Sequence, residues 1–260
     1  MKQGLLQISC IATALLLSAC VSERTYNGTG DPVSEYKFDP VSAARERMQL
    51  GLTYLRRGNT EQAKFNLDKA LEYAPDLEEV HTALAYYYQK VGDTRKAEKS
   101  YNNAINSKNV TGDSYNNFGV FLCQQKKFSE SEKMFLAAID MPKYTRSASS
   151  YENLGLCSQE ADQLEKARKY FELALKYDSR RATSLLELTR VYFQLKQLPQ
   201  AKAELERYHN VAFQTAESLS LGIDIELGLN DKTAAKTLAL VLQAKFPASP
   251  QAKKIRANMH

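Results

Sequence analysis

The phrase SYNNFGVFLC at residues 114–123 returns in shortened form as SYENLGLC at residues 150–157. A tyrosine, an asparagine and a glycine recur 36 positions apart, and each stretch ends on a cysteine. The period continues outward, because a small residue returns every 34 or 36 positions. The residues at this place are Gly51, Ala85, Gly119, Gly155 and Thr189. Such self-similarity indicates stacked copies of one supersecondary unit.

Other places of the period have the spacing of paired helices. Alanine or serine recurs twelve residues after the small residue, and large apolar residues precede and follow it at intervals of three and four. This spacing lines one face of a helix with apolar side chains, and the small residues let two antiparallel helices approach closely. Short polar turns separate the two helices, and Asn59, Asp93 and Asp162 are expected to begin the second helix.

The pattern resembles the tetratricopeptide repeat (TPR), although tryptophan never fills the repeat's usual first place. The resemblance implies an all-α, superhelical solenoid of about six helix-hairpin units over residues 44–260. We expect the units to start near residues 44, 78, 112, 148, 182 and 216. The sixth unit is weak, with Gly222 one place early and Glu226 where an aromatic residue usually stands, so we expect it to form a solvent-facing cap.

The N-terminus, MKQGLLQISCIATALLLSAC, has a basic start and an apolar core typical of a secretory signal, which we assign to residues 1–19. Its end resembles the bacterial lipobox, which implies that Cys20 is acylated and becomes the first residue of the mature chain. Val21 stands where an aspartate would retain an enteric lipoprotein at the inner membrane, so the resemblance favours the outer membrane, facing the periplasm. The alternative is a plain signal peptide with a chance cysteine. We predict a flexible tether over residues 20–43, interrupted by glycine and proline.

The sequence contains none of the common catalytic or metal-binding motifs. The chain has 3 histidines and neither a Cys-x-x-Cys pair nor a phosphate-binding glycine motif. Basic pairs are scattered along a chain of net charge +5, whereas nucleic-acid binding needs a concentrated basic stripe. We therefore predict that the protein is not an enzyme, binds no nucleic acid and needs no metal or cofactor beyond the acyl lipid on Cys20.

Two cysteines remain in the predicted solenoid. Cys123 and Cys157 lie one repeat apart, late in the first helices of neighbouring units. In an oxidising periplasm two such thiols are expected to form a disulfide. The alternative is a pair of small, buried, apolar thiols.

The first helices of such repeats line a concave surface, which is a candidate groove for a partner. An apolar strip flanked by amides would suit a helical or extended peptide with several apolar side chains. The alternative is that about half of these residues only pack between neighbouring helices. The candidates are Leu52, Leu55, Tyr86, Asn116, Val120, Gln124, Leu156, Gln159, Leu186 and Arg190.

A more specific resemblance joins these features. A lipobox followed by RERMQLGLTYLRRGNTEQAKFNLDKALEYAP, YNNFGVFLCQQKKFSESEKMFLAAI and YENLGLC resembles the type IV pilus biogenesis and stability lipoproteins, the TPR pilotins of the pilus secretin. Membership implies that the protein meets the lipoprotein-sorting machinery, carries the secretin subunit to the outer membrane and promotes its multimerisation. Two alternatives are a scaffold lipoprotein of outer-membrane barrel assembly and an accessory of a peptidoglycan enzyme.

Overall fold

The computed structural model describes residues 38–258, which fold into thirteen α-helices and contain no strand. No helix in this range combines the length and apolar character needed to cross a bilayer. The predicted signal peptide, Cys20 and most of the predicted tether lie outside the described residues. The helices are α1 (Pro40–Arg56), α2 (Thr60–Tyr73), α3 (Glu78–Lys90), α4 (Thr94–Ile105), α5 (Gly112–Gln124), α6 (Phe128–Asp140), α7 (Ser147–Glu160), α8 (Leu164–Tyr177), α9 (Ala182–Gln194), α10 (Leu198–Val211), α11 (Ala216–Gly228), α12 (Lys232–Lys245) and α13 (Pro250–Asn258).

The first twelve helices pair as six consecutive hairpins, each with an odd-numbered first helix and an even-numbered second helix. Each first helix also packs against the first helix of the next hairpin. Among the described residues, consecutive second helices have no Cα atoms within 8 Å of each other. Because the layer of first helices is packed more tightly, the stack curves with these helices on its concave side.

The recurring glycine lies where the two helices of a hairpin cross. A β-carbon on Gly119 would stand 2.8 Å from the ring of Phe135, and one on Gly155 would stand 2.6 Å from the ring of Phe171. Both rings are buried. Close approach of the helices leaves no room for a side chain at these two positions, which explains the glycine in each repeated phrase.

Polar side chains of the two related phrases join neighbouring hairpins. Asn116 Oδ1 accepts hydrogen bonds from the Ser150 hydroxyl at 3.0 Å and from the Asn153 side-chain amide at 3.1 Å. Both bonds connect α5 to α7. The repeated Ser150 and Asn153 therefore both find an acceptor in Asn116 across the interface between units, where an unpaired amide would be unfavourable.

The first helix begins before the expected boundary. Pro40 is its first residue, so residues 40–43, which were predicted to belong to the tether, are helical. Proline is favoured at a helix start because its φ is already helical and its missing N–H would have no partner there. The prediction that Pro40 interrupts a tether was wrong, because this proline begins the helix.

Helix starts follow the sequence prediction in two of three turns. The side chains of Asn59 and Asp93 each accept a hydrogen bond from a backbone N–H three residues further on, both at 3.0 Å. Asp162 was expected to do the same, but it lies in the turn with a φ of 57°, and Gln163 precedes the helix without a side-chain bond. Aspartate tolerates this left-handed backbone conformation better than most residues, which explains why Asp162 occupies this position of the turn.

The C-terminal cap also differs from expectation. Helix α13 packs against the sixth hairpin and buries Ala252 in a cluster with Leu219 and Leu242. Glu226 is 7% exposed and pairs with Lys202 at 2.8 Å, so it does not face solvent. The sixth hairpin is therefore an internal unit, and the single helix α13 covers the end of the stack because α11 and α12 still carry apolar side chains toward it.

Candidate binding groove

A wide concave surface lies along the first helices of the first three hairpins. It encloses a volume of about 690 Å³ between α1, α3 and α5. Its floor carries the apolar side chains of Met48, Leu52, Ala83, Tyr86 and Val120. Tyr86 is 38% exposed although it is large and aromatic. We call this surface the inner groove.

The three helices that form the inner groove run parallel and in register. An ion pair links the N-terminal halves of α1 and α3, between Arg45 and Glu79 at 3.0 Å, and a hydrogen bond links the last turns of α3 and α5, between Gln89 and Gln124 at 2.6 Å. The N-terminal ends of α3 and α5 therefore lie along one edge of the groove, and the C-terminal ends of all three helices lie along the other. The two edges differ in charge as a result.

One edge, which we call the acidic edge, carries the carboxylates of Glu78, Glu79 and Asp113. Glu79 pairs with Arg45 at 3.0 Å, and Asp113 pairs with Arg146 at 3.3 Å. Glu78 is only 6% exposed and has no ion pair among residues 38–258. Acidic side chains at helix starts are favourable because they face the positive end of the helix dipole.

The pKa of Glu78 is raised above its ordinary value. Burial is the main cause, and the negative charges of Glu79 and Asp113 act in the same direction. A hydrogen bond donated by the Thr82 hydroxyl at 3.0 Å acts in the opposite direction. The charged form of this carboxyl group is therefore less stable in the folded protein than in water.

The other edge is basic and amide-rich. Arg56 and Lys90 line it, and the Lys90 ammonium lies 5.3 Å from the centroid of the Tyr86 ring. Gln89 accepts a hydrogen bond from the Tyr101 hydroxyl at 2.9 Å while its own amide donates to Gln124. Burial raises the pKa of Tyr101 to about 12, so this hydroxyl stays protonated and remains a donor.

The inner face of the later hairpins has a different character. Arg181 donates to Glu152 at 2.7 Å, and the Ser184 hydroxyl donates to the same carboxylate at 2.7 Å. Arg190 pairs with both Glu187 and Glu217. Charged side chains that already satisfy one another leave less apolar surface for a partner than the inner groove offers.

Four of the ten predicted groove residues line the inner groove, namely Leu52, Tyr86, Val120 and Gln124. Leu156 occupies the place of Val120 in the next hairpin and is 39% exposed. Gln159 and Leu186 are half-buried on α7 and α9.

Two predicted groove residues do not reach the groove. Leu55 is buried in the core of the first hairpin, and Asn116 is bonded to the neighbouring hairpin. Leu55 is covered by the packing of neighbouring helices, whereas Asn116 is turned away by helical rotation, because residues three and four apart share a face. On α5 the groove face passes through Asp113, Asn117 and Val120, one residue away from Asn116.

Sequence reasoning also missed Glu78, Asp113 and Asn117, which line the groove. A signal for Asn117 was present, because it lies three residues before Val120 and seven before Gln124, both predicted correctly to share one face. The signal for Glu78 was weaker, because an acidic residue in the first helical turn is common for reasons of helix stability alone.

The two cysteines are joined by a disulfide bond in the structure. The Cα atoms of Cys123 and Cys157 are 5.8 Å apart, within the usual range for a disulfide. Both lie in a buried cluster with Phe135, Leu154 and Tyr170. The bond connects α5 to α7 and so fixes the third hairpin to the fourth.

The chain is similar to known tetratricopeptide repeat proteins. The tetratricopeptide repeat family models match residues 47–77, 78–110, 111–141 and 148–181. The type IV pilus assembly protein PilF of Pseudomonas aeruginosa is 32% identical over 81% of this chain and 84% of its own length. The chain belongs to this family of TPR proteins. The predicted fold class, an all-α TPR solenoid, is thereby confirmed.

Solved structures of this pilus family agree with the assignment. The match to a structure of Pseudomonas aeruginosa pilF covers 84% of this chain and 99% of the pilF chain, with 32% sequence identity and a TM-score of 0.70. PilW, described as a widely conserved type IV pilus biogenesis factor, covers 82% of this chain and 97% of its own, with 28% identity and a TM-score of 0.70. Type IV pilus biogenesis is therefore the process in which members of the family take part.

Proposed function

We propose that this protein is a pilotin, an outer-membrane lipoprotein that binds the secretin subunit of the type IV pilus and promotes its localisation and multimerisation. The similarity to PilF over 81% of the chain carries the link to the pilus. The lipobox ending at Cys20 supports a lipid anchor and a position facing the periplasm. The inner groove supports a role in protein binding rather than in catalysis.

The physical properties of the inner groove suit a protein segment. The strip of Met48, Leu52, Tyr86 and Val120 offers apolar anchors, and the amides beside it can bond to a peptide backbone. Covering the apolar side chains of an unassembled secretin subunit would keep those side chains from aggregating before insertion.

The anchor follows from acylation of Cys20. Each methylene group that enters the bilayer contributes about 0.8 kcal/mol, so more than one acyl chain holds the protein at the membrane durably. Lipoprotein-sorting machinery would deliver the acylated chain to the outer membrane. The residues between Cys20 and Pro40 would let the inner groove bind a partner at some distance from the membrane surface.

Mass spectrometry of the mature protein tests the anchor directly. We expect an N-terminal Cys20 that carries acyl chains, and we expect the protein in the outer-membrane fraction. A mature chain that begins at another residue, or one without acyl groups, would contradict the proposed anchor while leaving the groove open to test.

Substitution of Tyr86 tests the groove. Glutamate at this place puts a charged carboxylate among the apolar side chains of the groove and removes an aromatic anchor, and loss of such an anchor commonly weakens binding about tenfold or more. We expect Tyr86→Glu to lower the amount of secretin retained in a pull-down, and the amount of secretin multimer in the outer membrane, by about that factor.

Phe65→Glu is the matched control for this experiment. Phe65 is 52% exposed on the second helix α2, away from the inner groove, so secretin retention should stay within about twofold of the wild type. Equal retention by Tyr86→Glu and the wild type would refute the groove as the binding surface. Normal secretin multimers with altered porin levels would instead favour barrel assembly, and altered cell shape would favour a peptidoglycan enzyme.

A further inference from the structure

Glu78 differs from the other carboxylates of low exposure within residues 38–258. Glu226 is 7% exposed and is paired with Lys202 at 2.8 Å, and the Glu152 carboxylate is paired with Arg181 at 2.7 Å. Glu78 is 6% exposed, yet within the described residues no lysine, arginine or histidine lies within ion-pair distance of it. Its neighbours along the acidic edge, Glu79 and Asp113, are themselves negative.

This arrangement reduces the stability of the free protein. Burying a carboxylate without a counter-ion is unfavourable, and one hydroxyl donor, Thr82, replaces only part of the lost hydration. The raised pKa of Glu78 reports the same cost. The helix dipole of α3 offsets part of this unfavourable free energy. The same dipole acts on Glu79, but Glu79 is also paired with a cation, Arg45. A group that lowers stability in the free protein but lines a binding surface is a candidate for use in the complex.

Position supports such a use. Glu78 lies in the wall of the inner groove, and Tyr86 follows it by eight residues on the same helix. At 1.5 Å per residue these two side chains are separated by roughly 12 Å along the helix axis. An extended peptide advances by about 3.3 Å per residue, so roughly four residues would span this distance. A bound segment can therefore present one side chain to Glu78 and another to Tyr86.

We infer that the inner groove selects a protein segment that carries a lysine or arginine side chain, whose cation pairs with the Glu78 carboxylate while an apolar side chain roughly four residues away packs on Tyr86. This inference rests on the proposed function, in which the inner groove is the docking surface. The cation would supply the counter-ion that the free protein lacks. The nearby carboxylates of Glu79 and Asp113 would add to its attraction, although Arg45 and Arg146 already pair with them.

The test uses purified full-length protein in detergent and a random dodecapeptide library displayed on phage. We expect the selected peptides to be enriched in lysine or arginine at a fixed spacing from an apolar residue. Glu78→Gln keeps the size and the acceptor for Thr82 but removes the charge, and we expect it to weaken binding of those peptides about tenfold, the usual order for a desolvated charge pair. Glu61→Gln is the matched control, because Glu61 is an exposed carboxylate in the first turn of α2 and does not line the inner groove, and it should change binding by less than twofold.

A double-mutant cycle isolates the pair. Replacing the peptide's basic residue by norleucine should weaken binding to the wild type about tenfold and binding to Glu78→Gln by less than twofold. Peptides without a basic residue, or an equal norleucine effect on both proteins, would overturn the inference. If, in either of these cases, the selected peptides bind Tyr86→Glu more weakly than the wild type, the inner groove remains the binding surface and only the selection for a basic residue is refuted. If no selected peptide depends on Tyr86, both proposals fail.

Thermal unfolding separates this role from a structural one. Because the pKa of Glu78 is higher in the folded state, its ionised form lowers stability above that pKa, and the neutral glutamine removes the penalty. We expect Glu78→Gln to raise the unfolding midpoint by about 2 °C at pH 7. The gain should vanish at acidic pH, where Glu78 is protonated in both states. A lower midpoint at pH 7 would mean that the carboxylate holds the fold together, and would overturn the inference.

Discussion

Replacing Phe171 by alanine should lower the free energy of unfolding by about 3–5 kcal/mol, the range found when large aromatic side chains are removed from cores. Phe171 lies on the second helix of the fourth hairpin and is fully buried. Its ring fills the space that Gly155 leaves open on the first helix of the same hairpin. It also belongs to a cluster with Leu185 and Leu188 of the fifth hairpin, so its loss weakens two interfaces at once.

The measurement is chemical denaturation followed by circular dichroism. In a solenoid each unit contacts only its neighbours, so weakening the fourth unit and its contact with the fifth should also make the transition broader. Phe213→Ala is the control, because Phe213 is 95% exposed and its removal should change the free energy of unfolding by less than about 0.5 kcal/mol. Similar effects of the two substitutions would contradict the packing described for Phe171.

The second large effect concerns the disulfide. The double variant Cys123→Ala/Cys157→Ala should be about 3–4 kcal/mol less stable than the oxidised wild type, because the bond closes a loop of 34 residues and restricts the unfolded chain. Both cysteines are at least nine-tenths buried, and alanine keeps the sites apolar, so most of the change should come from the loop.

A reductant provides the control for this second prediction. Dithiothreitol should lower the denaturation midpoint of the wild type to near that of the double variant and should leave the double variant unchanged. A wild-type midpoint that does not respond to complete reduction would show that the bond contributes little. The effect should concentrate in the third and fourth hairpins, which the bond joins.

The sequence determined the repeated unit and its helical character. The return of Gly119 as Gly155 after one period gave the crossing point of two helices, since only a very small residue allows so close a contact with Phe135 or Phe171. The starts at Asn59 and Asp93 were also predictable, because side-chain capping involves only residues three apart. Interactions between residues that are close in the sequence can be predicted from the sequence alone.

The tertiary structure alone decided which apolar faces stay open and which charges find partners. The spacing of Leu52 and Leu55 is compatible with one helical face, but only the packing of the next helices shows that Leu52 lines the groove while Leu55 is buried. Glu78 resembles any other acidic residue at a helix start until the positions of Arg45 and Arg146 show that these cations pair with Glu79 and Asp113 instead. Periodicity fixes which residues share a face of one helix, whereas burial and charge pairing depend on how far apart separate helices come to lie.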